Sequence, residues 1–195
     1  MISKQGRNLS LALIVGLFFS LVAWEVSIDG LPLPYFFVQS NLAINGGLYW
    51  QLFTSLFVVI PFSSQGPLGI ADVLFNMVAI MWLDGLLSFG FQEWDYYAVF
   101  VLSGLVGNIT SLFNGPGAAS FGASGGIFGL LAGAIAQEFA VEKRVDYSLL
   151  VWFLAVFIFS SFALSYVDWL AHLGGAAAGL VAGYLLGNAH GRELP

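Results

Sequence analysis

Cysteine is absent from the 195 residues. That excludes disulfides, thiolate metal sites and a cysteine nucleophile. Charge is nearly as scarce: 8% of residues are Asp, Glu, Lys or Arg, while 59% are hydrophobic. A soluble domain carries about 25% charged residues. With a mean hydropathy of +0.90, the chain has too little polar surface to face water on all sides, and a membrane protein is expected. Basic residues number five against eleven acidic ones, with no basic cluster, so nucleic acid finds no electrostatic footprint. The two histidines, His172 and His190, form no His-Glu-x-x-His string. That argues against a zinc protease, and no metal or cofactor is expected.

Long apolar runs are what the chain has instead. They predict an all-α membrane protein with six transmembrane helices, at about 8–28, 70–89, 95–113, 122–140, 147–166 and 168–189, each near the ~20 residues a bilayer requires. The linker 29–69 is long. Its stretch from Tyr49-Trp50-Gln51-Leu52-Phe53 to Pro61 is apolar but short for a crossing, and its aromatics suit the membrane interface. It is read as a partly embedded loop with short helices. No stretch is left for a separate soluble domain, so residues 1–195 are expected to form one membrane-embedded domain. Lys4 and Arg7 precede the first run, but that run leads into Trp24-Glu25-Val26 without a small-x-small cleavage site, and a retained first span is expected.

Charge tests the span count. With six spans, Lys4, Arg7, Lys143, Arg144 and Arg192 all fall on one side together with both termini, and by the positive-inside rule that side is the cytoplasm. A seventh crossing at 48–61 would split the basic residues between the two faces. Six spans in this orientation start the second, fourth and sixth on the outer side. Asn76, Ser124 and His172 each lie near the start of one of these, so three polar groups are expected in one shallow layer beneath the outer face.

Glycine spacing offers a way for two of these helices to touch. Gly125, Gly129 and Gly133 repeat every four residues, and so do Gly175, Gly179 and Gly183. Small residues at that spacing let backbones approach closely in lipid. Close approach is what a nucleophile and its base need. Taken residue by residue, two roles stay open at each position. Ser124 is a nucleophile or a helix serine bonded to a carbonyl. His172 is a base, as the cost of an ionisable group in a span favours, or a neutral link between helices. Asn76 is an oxyanion donor or a bridge between helices. Asp168 is read as the N-terminal cap of the sixth span.

At these residues the chain resembles the rhomboid family of intramembrane serine proteases. The resemblance rests on Gly122-Ala123-Ser124-Gly125, on Ala171-His172-Leu173-Gly174-Gly175 and on Leu74-Phe75-Asn76-Met77. Tyr49-Trp50-Gln51-Leu52-Phe53-Thr54 is similar to the family's first-loop motif, and Ser103-Gly104-Leu105-Val106-Gly107-Asn108 to its third span. The resemblance implies a six-helix bundle of the rhomboid type with a water-filled cavity open to the outside. Ser124 would be the nucleophile and His172 the general base, without a third carboxylate. The Ser124 backbone N–H and the Asn76 side chain would hold the oxyanion. Phe128 would pack on the histidine ring, and Gly122, Gly125 and Gly175 would support the site. The substrates implied are transmembrane segments of other proteins, entering laterally from the lipid and cut near their outer ends.

Two positions depart from the family pattern. Asp72 stands where a histidine usually supplies a further oxyanion donor, and Gln51 replaces a loop-anchoring arginine. A carboxylate near an oxyanion is repulsive unless protonated or turned away. Asp72 therefore keeps open an alternative, a proteolytically inactive rhomboid-like membrane scaffold. A small transporter or channel is a third reading, opposed by the lack of an inverted repeat or a charged central pathway.

Overall fold

A computed structural model of the chain describes residues 3–63, 66–87, 91–162 and 167–190. Among these are eight α-helices: α1 (Lys4–Val22), α2 (Asn41–Asn45), α3 (Gln51–Thr54), α4 (Leu68–Leu87), α5 (Glu93–Ser111), α6 (Ser124–Glu142), α7 (Tyr147–Phe162) and α8 (Trp169–His190). Four two-residue strands, β1 (Ser27–Ile28), β2 (Leu31–Pro32), β3 (Gln39–Ser40) and β4 (Ala119–Ser120), make two antiparallel pairs, β1 with β2 and β3 with β4. Lys4–Glu25, Trp94–Asn114, Ser124–Glu142 and Trp169–Ala189 are long and apolar enough to cross a membrane, and Leu68–Leu83 and Tyr147–Ser161 are shorter apolar helices. Large apolar side chains stand exposed along them, such as Phe18, Phe75, Ile158 and Leu185. Water would penalise such surfaces; lipid does not. The chain is a predominantly helical, multi-pass membrane protein.

Helix ends follow local chemistry more closely than hydropathy. The first helix begins at Lys4 because Ser3 caps it, its Oγ accepting the Gly6 N–H at 3.0 Å. It ends at Val22 rather than near residue 28. A 3₁₀ turn at Ala23–Glu25 follows, and then the β1–β2 hairpin. That hairpin turns on Asp29-Gly30, with φ of 52° and 81°, the left-handed pair that a two-residue hairpin loop demands. The fourth span begins at Ser124 rather than 122, since Gly122 has φ 111° and cannot be helical. Residues 88–89 and 163–166 of the expected spans, Arg192 and the side chain of Asp84 lie outside the described residues.

The chain forms two compact units. The first comprises Met1–Gly85 and Ser111–Ser124. Gly16 on α1 admits the Phe57 backbone so closely that a Cβ there would overlap the Phe57 carbonyl. Ser20 Oγ donates to the Gly16 carbonyl at 2.7 Å and accepts the Val59 N–H at 3.1 Å. Val38, Val58 and Ile60 form a buried cluster with Phe19, Trp24, Phe37 and Phe121 around it. The linker after α1 is pinned by buried amides. Gln51 is 1% exposed. Its Oε1 accepts the Ser40 N–H at 2.9 Å, and its Nε2 donates to the Tyr35 and Phe36 carbonyls at 3.4 and 3.3 Å. A neutral amide thus does the anchoring at the position where the family pattern has arginine. Asn41 Nδ2 donates to the Ser111 and Gly115 carbonyls at 3.0 and 2.9 Å. The β3–β4 register sets Gln39 opposite Ser120 and Ser40 opposite Ala119. The linker therefore holds β4, the segment that leads directly into Gly122 and Ser124.

The second unit comprises Leu86–Thr110 and Gly125–Pro195. Here the two glycine stripes meet. A Cβ on Gly175 would overlap the Gly125 carbonyl, one on Gly179 that of Gly129, and one on Gly183 that of Gly133. Reciprocally, a Cβ on Gly129 would lie 3.0 Å from the Gly175 oxygen, and one on Gly133 3.0 Å from the Gly179 oxygen. The α6 and α8 backbones are thus in direct contact along both stripes, the close approach their spacing predicts. Helix α5 joins them: Ser103 fills the space beside Gly129, and a Cβ on Gly107 would come within 2.6 Å of the Ala171 oxygen.

Candidate active site

His172 lies in the first turn of α8 and is 3% exposed. Asp168 caps that turn as expected: its Oδ1 accepts the Ala171 N–H at 3.1 Å and its carbonyl the His172 N–H at 3.3 Å. The imidazole is held on several sides. Phe128 packs against it with ring centroids 4.6 Å apart at 45°, and Phe157 edge-on at 6.4 Å. Phe128 in turn packs on Phe153 and Phe157 at 6.2 and 5.3 Å. Ser161 Oγ lies 2.9 Å from His172 Nδ1, both side chains being buried.

The resemblance names Phe128 among these residues; Ser161 and Phe157 were not singled out from the sequence. Phe153, Phe157 and Ser161 recur at four-residue spacing, one face of a helix. That spacing is the signal that marks them, but α7 is apolar all round and its inward face does not stand out.

Ser124 is the first residue of α6 and half-buried. The first N–H groups of a helix have no acceptor within the helix, and its dipole favours negative charge there. The turn into Ser124 depends on Gly122. Its left-handed φ disfavours a side chain, and its N–H donates to the Ser55 carbonyl at 2.8 Å. A Cβ on Gly122 would also meet Asp72, with Cγ and Oδ1 each 3.0 Å away. One turn along α4 from Asp72, the Asn76 Nδ2 donates to Asp72 Oδ2 at 2.8 Å, with Asn76 6% exposed. Asp72, Asn76 and Gly122 are therefore brought together in the first unit. Asp72 is an acceptor that fixes the Asn76 amide. That amide carries two N–H groups, so one bond to Asp72 leaves the other for a second acceptor.

In the second unit, the residue after Ser124 meets the residue before His172: a Cβ on Gly125 would lie 3.2 Å from the Ala171 oxygen. In the first unit, then, Ser124 opens α6 and Asp72 fixes the Asn76 amide; in the second, His172 is buried in the first turn of α8.

The family model described as the rhomboid domain matches residues 46–189. The chain is similar to the protein named "Putative rhomboid protease YdcA" of Bacillus subtilis, 26% identical over 186 residues that cover 91% of this chain and 85% of that protein. It is similar to rhomboid protease GluP of the same bacterium, 27% identical over 182 residues, 92% of this chain and 34% of that protein. It also resembles rhomboid-like protease 3 of Toxoplasma gondii, 32% identical over 138 residues, 67% of this chain and 49% of that protein. It thus spans most of the first relative's length and half or less of the other two. With the domain match covering most of its length, the chain belongs to the rhomboid family.

Proposed function

We propose that this protein is an intramembrane serine endopeptidase that cleaves transmembrane segments of other membrane proteins with a Ser124–His172 dyad. The observation that carries the reading is the glycine contact between α6 and α8. It sets Gly125 against Ala171, the immediate neighbours of the two reacting residues.

In the proposed reaction Ser124 Oγ attacks the scissile carbonyl carbon while His172 takes its proton. The carbonyl oxygen becomes an oxyanion, met by the Ser124 backbone N–H at the start of α6 and by the second N–H of Asn76. His172 returns the proton to the leaving amine as the C–N bond breaks. A water, deprotonated by His172, then attacks the acyl carbon; the bond to Ser124 Oγ breaks, and His172 returns the proton to that oxygen. Phe128 and Phe157 keep the imidazole in one plane and exclude lipid from it. Asp72 holds the Asn76 amide in one orientation. Gly122, Gly125 and Gly175 allow the turn and the close helix approach on which the geometry depends.

The membrane placement belongs to the same proposal. The chain crosses six times through α1, α4, α5, α6, α7 and α8, with the long first linker partly embedded. Both termini are cytoplasmic, where the five basic residues collect, and the reacting groups lie near the outer face. Cleavage of a model single-span substrate in proteoliposomes tests the reading. Ser124→Ala and His172→Ala are each expected to abolish cleavage in a protein that stays folded. Cleavage by Ser124→Ala at the wild-type rate would overturn the assignment.

A second reading, a rhomboid-like scaffold that binds spans without cutting them, is favoured by the Asp72–Asn76 hydrogen bond. It occupies part of the oxyanion donor and sets a carboxylate beside it. A serine-reactive fluorophosphonate probe separates the two readings, since a scaffold does not label.

A further inference from the structure

His172 Nδ1 has a specific partner that the two-residue dyad does not include. Ser161 on α7 is 4% exposed, and its Oγ lies 2.9 Å from that nitrogen. Phe157, one turn earlier on the same face of α7, packs on the same ring. Helix α7 thus meets the imidazole with an apolar edge and a hydroxyl at once.

A neutral histidine carries its proton on one nitrogen and its lone pair on the other. A base that accepts a proton at Nε2 must therefore begin with hydrogen on Nδ1. Something has to hold that tautomer, and in soluble serine hydrolases a carboxylate does so. A carboxylate inside a membrane carries a large desolvation cost. A hydroxyl oxygen accepts the same hydrogen without bringing a charge.

We propose that Ser161 is a positioning residue for His172, resting on the protease reading given above. Ser161 Oγ accepts the Nδ1–H, fixes the imidazole as the Nδ1–H tautomer and assigns the Nε2 lone pair to the Ser124 proton. When His172 becomes imidazolium both nitrogens carry hydrogen, and Ser161 still accepts from Nδ1. The same bond therefore serves before and after proton transfer, with no rearrangement of α7.

The test combines ¹⁵N NMR of histidine with cleavage kinetics in the full chain. Only two histidines are present, so His190→Ala leaves a single labelled ring to observe. Wild type is expected to show one Nδ1–H tautomer at neutral pH. Ser161→Ala is expected to show a tautomer mixture and a kcat lower by about three- to tenfold, the scale of one neutral hydrogen bond, with KM unchanged. Ser161→Thr, which keeps a hydroxyl, is expected to restore both readouts. An Nε2–H tautomer in wild type overturns the proposal without recourse to any variant, as does Ser161→Ala with wild-type tautomer and kcat. Ser124→Ala separates the two levels. If it cleaves normally, the protease reading fails. If it is inactive while Ser161→Ala is fully active, only the role of Ser161 fails. Fluorophosphonate labelling lost in Ser161→Ala but kept in Ser124→Ala would make Ser161 the nucleophile and overturn both.

Discussion

Asn76 gives one amide hydrogen to Asp72 and has a second to give, and two predictions turn on that division. Asn76→Ala removes the donor and is expected to lower kcat by about 10²–10³, the range seen when one oxyanion donor is lost. Asp72 stands where the family usually has a histidine donor, and it also steadies the amide. The magnitudes decide which effect wins. A positioning hydrogen bond is worth a factor of roughly 2–10, less than a donor. Asp72→Ala is therefore expected to lower kcat by about that smaller factor, and Asp72→His to raise it. Steady-state cleavage of a single-span substrate checks all three. At this scale the sequence was partly legible. Ser124, His172 and Asn76 stand out as polar groups in apolar runs, and Asp72 stands out as a departure. That Asp72 faces Asn76 one turn away follows from helical spacing. That Gln51 replaces a cation by bonding three backbone groups does not, because its partners come from a loop whose path no periodicity records.

At the scale of elements, the glycine stripes are the clearest case of a fold feature legible in spacing, since each stripe repeats every fourth residue and the α6 carbonyls facing the α8 stripe leave no room for a methyl group. Gly179→Ala is expected to destabilise by about 1–3 kcal/mol, as overpacking does, because its Cβ would overlap the Gly129 backbone. Gly117→Ala, where nothing lies within 4 Å, is expected to leave stability unchanged. Thermal unfolding in detergent compares them. The start of α7 rests on Asp146, whose Oδ1 accepts from the Ser148 hydroxyl and from the Ser148 and Leu149 N–H groups. Those bonds, the Ser148 hydroxyl first, hold its carboxyl below the ordinary carboxylate pKa. A pKa depressed by folding gives stability that is full above the unfolded value, near 3.9, and is lost as pH falls through the folded one. Asp146→Asn keeps an acceptor oxygen that does not titrate, so its melting temperature is expected to fall less than that of wild type on acidification. The first helix shows why ends were less legible than interiors. Hydropathy runs on past Val22, and only the Asp29-Gly30 turn marks the chain's departure from the helix.

At the scale of the whole molecule, composition alone called for a membrane protein, and the absence of cysteine makes its topology simple to measure. Single cysteines placed at Ser3 and Gly117 are expected to react with a membrane-impermeant maleimide on opposite faces, Gly117→Cys in intact cells and Ser3→Cys only after permeabilisation. Labelling of both from outside would contradict the six-span orientation. What composition could not reveal is which of several serines lies against the histidine, as Ser161 does, since lipid-facing and inward-facing serines look alike in an apolar run. The claim on which everything else depends is that Ser124 is a nucleophile activated by His172. Fluorophosphonate labelling of the wild-type protein beside folded Ser124→Ala and His172→Ala tests it most directly. Strong labelling of wild type and none of either variant is the result expected; labelling that persists in Ser124→Ala, or a folded wild type that does not label, would contradict it.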